Sequence, residues 1–401
     1  MNQPLRLAVL ITHPIQYFRP VFAELAQQHG LELRVFFGCD HGRRSSLDPD
    51  FCVSFAWDVP ADEGFPHTLI SHASLEQLSR LRTALPLAWR AARIISAWEP
   101  DQVLIFAYTP VFISLSTLLL KIRGQALLLR ADATDRAFPR SWLKSSIKEA
   151  VLRLWYCQFR HVFPIGADSD RHFARLGVAT SRRHPVPYAV DVDFFAQQQQ
   201  HWSPQRLSLR RELGIGPADL VLLWSAKMTP VKAPFLLVEA LAALPEAVRQ
   251  RVWLVAMGDG PLRHSFEAQL QQLMPGRTRF LGFCNQSEIG RGYAMADALV
   301  FPSVQGETWG LVVNEALQFG LAVMASDHPG CVADLLASER SLPSGSAVFP
   351  SGDSNAFANV LLAFAKAHPE GFSPQPSTDL PHPRDLVNTI QHWASHSAST
   401  T

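Results

Sequence analysis

The chain has 401 residues, more than one ordinary domain holds, and length alone points to two or three domains. It is 47% hydrophobic and 18% charged, which supplies a full core and excludes a disordered chain. A formal net charge of +1 gives no global electrostatic case for a nucleic-acid partner.

From the N-terminus, Met1 leads straight into a strand-like run, Leu5 to Thr12, without the charged, apolar and small-residue layout of a signal peptide. Short apolar strands then alternate with helical stretches. Strands are expected at Leu7–Ile11, Glu32–Phe37, Gln102–Phe106, Ala126–Leu129 and His161–Ile165. The uncharged stretch Val103 to Leu120 has the length of a minimal membrane span. Thr109-Pro110 divides it, however, and it reads as a buried strand followed by a packed helix. A polar break at Asp193 to Pro217, with a glutamine run at 197–200, reads as a linker. Beyond it, strands are expected at Val221–Ser225, Trp253–Met257, Thr278–Leu281, Ala298–Phe301, Ala322–Ala325 and Ala347–Phe349. Helices are expected between them, among others at Pro20–Gln28, Leu85–Trp98, Leu143–Phe159, Ala233–Ala243, Leu262–Leu273 and Gly310–Phe319. A loop at Pro369 to Pro383 precedes a last helix near Asp385 to Ala394. This pattern makes two doubly wound parallel sheets, with ligands at the carboxyl ends of the strands and a cleft between two such domains. Cys39, Cys52, Cys157, Cys284 and Cys331 lie far apart without a CxxC pair, which suits buried free thiols in a reducing cytosol.

Two strand-to-helix loops carry the chemistry. In the first, Lys227 and Lys232 are spaced to converge on a diphosphate, where they would offset the charge of a leaving group. In the second, Glu307 precedes a helix start at Gly310, and Glu315 lies one and a half turns inside it. The backbone N–H groups of Gly310, Leu311 and Val312 would offer a phosphate site, and the absent side chain of Gly310 would let a ligand come close. Side chains lean toward a helix N-terminus, so both carboxylates would reach the hydroxyls of a sugar bound there. The plainer alternatives are solvated lysines and surface acids. Gly258-Asp-Gly260 is not a dinucleotide fingerprint, because Arg263 stands where the third glycine belongs. On the N-terminal side, His13 follows the first strand, where it would meet an acceptor or donor phosphates or move a proton, unless it caps the next helix. Arg130 and Asp132 follow a later strand and are site candidates or a structural ion pair. The helix from Trp142 to Arg160 mixes Lys144, Lys148, Arg153 and Arg160 with apolar residues. It reads as a packed helix, with peripheral contact to an anionic membrane as the alternative.

In order, these segments resemble the large retaining glycosyltransferase family numbered four, whose fold is called GT-B. His184-Pro-Val-Pro187-Tyr-Ala-Val190-Asp191 is similar to its "IPNGVD" segment, and Ser225-Ala-Lys227-x4-Lys232 to its "GRLxxxKG", with lysine replacing arginine. Ala256-Met-Gly258-Asp-Gly260-Pro-Leu262, Gly282-Phe-Cys with Tyr293-Ala-Met-Ala-Asp297, and the Glu307-x7-Glu315 spacing follow. Ser326-Asp327-His-Pro-Gly330 and Phe349-Pro-Ser-Gly352-Asp353 close the set, which covers roughly residues 160 to 365. Thr12-His13-Pro14-Ile-Gln16-Tyr17-Phe18 resembles an "HPIQYF" opening in a subset of bacterial glycosyltransferases.

The resemblance implies an α/β GT-B protein of two Rossmann-like domains facing a cleft. Residues 1–195 would bind a carbohydrate, lipid-linked or small-molecule acceptor, and 205–370 a nucleoside-diphosphate sugar, with a tail and crossover helix at 371–401. It implies retaining hexosyl transfer in polysaccharide or glycolipid biosynthesis, in the cytoplasm or at the inner face of its membrane. Lys227 and Lys232 would hold the diphosphate, Glu315 the ribose and Glu307 the hexose, beside the backbone of Trp309, Gly310, Leu311 and Val312. His13 and Asp132 would complete the catalytic set, although the family's histidine near Asp132 is missing. Lysine at 227 keeps the charge but loses the bidentate fork. No metal is expected, since no DxD pair stands beside a strand end. The rival readings are a nucleotide-sugar epimerase on the same fold and a non-catalytic nucleotide-sugar-binding module.

Overall fold

The structure is a computed structural model that describes residues 4–43, 46–48, 53–136, 142–336 and 341–398. Cys52 and the side chains of Trp142, Leu143, Lys144 and Ile147 lie outside the described residues.

The N-terminal half contains strands β1 (Leu5–Ile11), β2 (Leu31–Phe37), β3 (Ser46–Asp48), β4 (Val53–Phe55), β5 (His67–Leu69), β6 (Gln102–Phe106), β7 (Leu127–Ala131) and β8 (His161–Pro164). Its helices are α1 (Arg19–Ala26), α2 (Leu75–Ser79), α3 (Leu81–Ala97), α4 (Val111–Ile122), α5 (Trp142–Cys157) and α6 (Gly166–Arg175). Six of the strands form one parallel sheet in the order β5-β2-β1-β6-β7-β8, and β3 and β4 form a separate antiparallel pair. Alternate residues of the central strands serve two cores. Ala8, Leu10, Val103 and Ile105 pack under α3, α4 and α5. Leu7, Val9, Leu104 and Phe106 pack under α1. Burial on both faces explains why these strands read as continuous apolar runs.

Helices α7 (Val192–Trp202) and α8 (Arg206–Glu212) come next. The stretch that reads as a linker is therefore helical. Its glutamines are competent helix formers, and Asp191 caps α7 by accepting from the Phe194 N–H at 3.0 Å. Arg206 and Arg210 then fasten α8 to the second sheet through the fully buried Asp297.

The second sheet uses β9 (Leu220–Ser225), β10 (Val252–Met257), β11 (Thr278–Gly282), β12 (Ala298–Phe301), β13 (Ala322–Ser326) and β14 (Ala347–Phe349). Between and after them lie α9 (Pro234–Ala242), α10 (Glu246–Arg249), α11 (Arg263–Leu273), α12 (Gln286–Met295), α13 (Leu311–Gln318), α14 (Val332–Leu335), α15 (Ser354–Ala367) and α16 (Pro383–Ala398). The order β11-β10-β9-β12-β13-β14 is parallel throughout and reverses direction between β9 and β12. In open α/β sheets ligands bind at such a switch point, beyond the carboxyl ends of the strands. Two Rossmann-like α/β domains thus form the molecule. The last helix, α16, returns to the first of them, where Leu386, Val387, Ile390 and Trp393 pack with α1 residues. Val103 to Leu120 folds as β6 and α4, and no helix of the described residues is long and apolar enough to cross a membrane. Of the cysteines, Cys39 and Cys331 are buried free thiols, but Cys284 is half-buried and Cys157 exposed, a correction to the expected burial. Cys157 closes α5 on the outward side of that helix.

Candidate functional site

Both lysines follow β9, one of the two switch-point strands. Ala226 donates to the Met257 carbonyl at 3.2 Å, Met228 to that of Asp259 at 2.8 Å, and Leu262 to that of Met228 at 3.0 Å. These bonds clamp the lysine loop onto the loop after β10. The approach is close enough that a Cβ on Gly258, whose φ is +120°, would stand 2.2 Å from the Ala226 carbonyl oxygen. Gly258-Asp-Gly260 is therefore a backbone clamp for the lysine loop. Ala233 takes a left-handed conformation at φ 51°, a strained state for a residue with a Cβ, and it ends the single 3-10 turn that carries Lys232. Lys232 forms an ion pair with Glu307, and Ser303 donates to the same carboxylate oxygen at 3.4 Å. The loops after β9 and β12 thus meet as the sequence expects, but their two opposite charges satisfy each other in this state. Lys227 is half-buried on the same loop.

Helix α13 begins after Gly310 and ends before Gly320, which adopts φ 75° as a helix terminator does. No side chain caps its start. The reason for Gly310 differs from the expected one. At φ +107° its Cβ would stand 2.6 Å from the Phe301 ring, so the missing side chain makes room for the protein's own core. Trp309 is buried and donates to the Asn314 carbonyl oxygen at 2.9 Å, which leaves its backbone rather than its ring beside the loop. Leu311 and Val312 follow in the first turn, each half-buried.

Glu315 is 3% exposed and accepts from the Tyr293 hydroxyl at 2.5 Å and from the Tyr17 hydroxyl at 2.9 Å. Burial pushes its carboxyl up to about 7, against the two tyrosine hydrogen bonds that favour the anion. The sign of the pH effect follows. Between pH 4.5 and about 7 the folded chain holds a proton that the unfolded chain has lost, so this group makes stability fall as pH rises through that window. We expect Glu315→Gln to remove that part of the slope, with the largest gain relative to wild type above pH 7. Urea unfolding at pH 5.0 and 7.5 measures it, and equal differences at both values would contradict the assignment.

The N-terminal sheet faces these loops. Asp132, after β7, accepts from Oγ1 of Thr308, the residue after Glu307, at 2.8 Å. Tyr17 crosses the cleft to Glu315, and Asn285 Nδ2 donates to the Ala56 carbonyl at 2.8 Å. A cavity of about 220 Å³ is lined by Tyr17, Asp132, Tyr188, Glu307 and Gly310. A second, of about 160 Å³, lies between Tyr17, Trp57, Ser225, Gly258, Phe283 and Glu315. His13 lines neither cavity. Its Nδ1 is 2.9 Å from Thr12 Oγ1 and its ring meets His41 edge-on, with centroids 5.2 Å apart. Burial and His41 bring its pKa down to about 4, which makes it a neutral ring near pH 7. Arg130 is not available to a ligand. It is 3% exposed and donates to the carbonyls of Val186 at 3.2 Å and Pro187 at 3.3 Å, tying β7 to the segment that leads into α7. Among the described residues, no three His, Cys, Asp or Glu side chains gather so as to hold a metal ion.

The lysine loop, the helix start and the acid pair all lie within one family match. Residues 205–369 match the family described as Glycosyl transferases group 1. The group 1 match covers the second sheet and its helices and stops before α16. Among curated relatives, a D-inositol 3-phosphate glycosyltransferase from Geodermatophilus obscurus is 34% identical over 40% of this chain and 36% of its own length. A phosphatidyl-myo-inositol mannosyltransferase from Mycobacterium leprae is 29% identical over 56% of this chain and 54% of its own. The chain thus spans between about a third and a half of these relatives' length. Over the whole chain the likeness is one of fold. Anabaena HepE, solved with UDP-glucose, superposes with a TM-score of 0.64 at 18% identity, covering 98% of this chain and all of that one. An α,α-trehalose-phosphate synthase (UDP-forming) from Burkholderia vietnamiensis gives 0.69 at 14% identity with full coverage of both. These neighbours share the GT-B arrangement of two parallel-sheet domains.

Tyr17, Trp57, Phe283, Tyr293 and Thr308 escaped assignment from sequence. Tyr17 and Tyr293 stand inside motifs that were legible, but only the fold shows that both hydroxyls converge on Glu315. Trp57 carries no local signal.

Proposed function

We propose that the protein is a retaining hexosyltransferase of glycosyltransferase family 4 that moves a hexosyl group from a nucleoside-diphosphate sugar to an acceptor hydroxyl. The observation that carries the reading is the meeting of Lys232 and Glu307 at the switch point of a group 1 domain, with Glu315 inside the helix that follows Glu307. In this reading the cavity between Trp57, Phe283 and Glu315 takes the nucleoside, and Glu315 accepts from the ribose hydroxyls. The cavity between Glu307 and Asp132 takes the hexose and the attacking hydroxyl. UDP and UDP-glucose, present in HepE structures, are the first donors to try.

The chemistry follows from charge. On donor binding the diphosphate competes with Glu307 for Lys232, and Glu307 is freed to accept from hexose hydroxyls. Lys227, Lys232 and the N–H groups at the start of α13 stabilise the negative charge that grows on the diphosphate as the C1–O bond breaks. The acceptor oxygen bonds to C1 on the face the diphosphate leaves, and its proton passes to a departing phosphate oxygen, so the anomeric configuration is kept. Asp132 positions the incoming hydroxyl. His13, a neutral ring near pH 7, serves as a hydrogen-bond partner for the acceptor or the donor phosphates. Acceptors of polysaccharide or glycolipid assembly fit the D-inositol 3-phosphate glycosyltransferase and the phosphatidyl-myo-inositol mannosyltransferase among the relatives.

The test is proton NMR of the product formed with the donor that the chain consumes. The expected outcome is one equivalent of nucleoside diphosphate per glycoside and an anomeric coupling constant like that of the donor. An inverted anomer would overturn the retaining mechanism, and donor consumption without any acceptor product would overturn the transfer itself.

A further inference from the structure

Helices α3, α4 and α5 cover one face of the N-terminal sheet, and their outward side is unusually apolar. They carry seven of the ten large hydrophobic side chains that are exposed among the described residues. On α3, Leu81, Leu85 and Trp89 recur every four residues and make one stripe, while Ala84, Ala88 and Ala91 turn inward to the sheet. On α4, packed along α3, Leu118 and Ile122 point outward, Ile122 at 72% exposure. On α5, Val151 and Leu154 do the same, Leu154 at 76%. Lone exposed apolar side chains are ordinary, but five on the packed α3–α4 pair, with two more on α5 over the same sheet face, make an apolar surface that suits a partner.

The charges on the same layer are basic but for one. Neither α3 nor α4 contains an acidic residue, while Arg82, Arg90, Arg93 and Lys121 flank the apolar stripes. Arg93 lies over the Trp89 ring, 5.3 Å from its centroid. On α5 the acid among the described side chains, Glu149, is paired with Arg175 on the neighbouring α6. A second copy of the chain is a poor occupant. A two-fold contact through this layer would bring its arginines against their own copies, with no acids to receive them. The combination of Trp and Leu between arginines suits the interface of an anionic bilayer, where apolar side chains enter the acyl boundary and cations meet phosphates.

We infer that the α3–α4–α5 layer docks side-on to an anionic membrane surface. This reaches beyond α5, the helix for which the sequence offers membrane contact as the alternative to plain packing. The inference stands apart from the proposed transfer activity, because its test uses no sugar.

The test is co-sedimentation of the full chain with phosphatidylcholine vesicles with and without phosphatidylglycerol. We expect binding to the anionic vesicles, weakened by salt, and little binding to phosphatidylcholine alone. Leu85→Ser with Trp89→Ser should lower the partition coefficient at least about tenfold, as the loss of two inserted side chains requires. Arg82→Glu with Arg90→Glu should remove the preference for anionic lipid. Both pairs are at the surface, so melting temperature is expected to hold, and Leu207→Ser, an exposed leucine on α8, should bind as wild type does. Absence of vesicle binding at low salt would overturn the inference. So would wild-type binding by the Leu85/Trp89 variant, or a concentration-dependent dimer that this variant disperses, which would mark the layer as a contact between copies.

Discussion

Lys232→Ala is expected to lower kcat/KM for sugar transfer by about 10²–10³-fold, the loss seen when one preorganised group is removed from a developing negative charge. The argument is electrostatic. Lys232 stands on a 3-10 turn fixed by the left-handed Ala233 and by the clamp between the β9 and β10 loops, so its charge is placed before the donor arrives. It is paired with Glu307. Removing it leaves Glu307 without its cation and facing a diphosphate, which adds repulsion to the lost attraction. Lys232→Arg keeps the charge and should recover part of the rate. Steady-state kinetics with both variants checks this, and a loss smaller than about tenfold in the alanine variant would refute the role.

Asp297→Ala should produce the largest loss of stability, about 3–5 kcal/mol, the usual cost of breaking a buried ion pair from one side. Asp297 is fully buried and accepts from the Val221 N–H at 2.6 Å and from Arg210 at 3.2 Å, and it pairs with Arg206 as well. Arg210 is itself 4% exposed, so the variant leaves a guanidinium without a countercharge in the interior. The damage should concentrate where α8 meets β9 and β12, because this one carboxylate ties all three together. Urea unfolding followed by tryptophan fluorescence measures it, and a change below about 1 kcal/mol would show that water replaces the lost contacts.

Much of the fold was legible because burial makes a plain pattern. Both six-stranded sheets are built around runs such as Val103–Phe106 and Leu220–Trp224, apolar on both faces, and all eleven expected strands are present within a few residues. Strands β3, β4 and β5 were not legible. Each has three residues, and Ser46, Asp48, Ser54 and His67 interrupt any apolar signal. The glutamine run misled for another reason, since polarity alone does not distinguish a linker from a helix whose anchors, Arg206 and Arg210, find their partner at Asp297.

The meeting of the Lys232 and Glu307 loops was legible because the sheet order brings both to one switch point. The contacts across the cleft were not. Tyr17 and Glu315 are 298 residues apart, and Asp132 and Thr308 are 176 apart, so their pairing depends on how the two domains face each other. Arg130 illustrates the converse. A charged residue at a strand end suggests a site, but Arg130 is buried and its two Nη groups donate to the Val186 and Pro187 carbonyls.

The central claim is that the group 1 half of the cleft binds a nucleoside diphosphate, and thermal melting with a panel of nucleoside mono- and diphosphates tests it most directly. A ligand at a hundred times its Kd should stabilise the protein by about 2.7 kcal/mol. One diphosphate should raise Tm clearly, its monophosphate less, and Lys232→Ala should remove most of the difference between the two. No shift with any nucleotide, or equal shifts for mono- and diphosphate, would contradict the account.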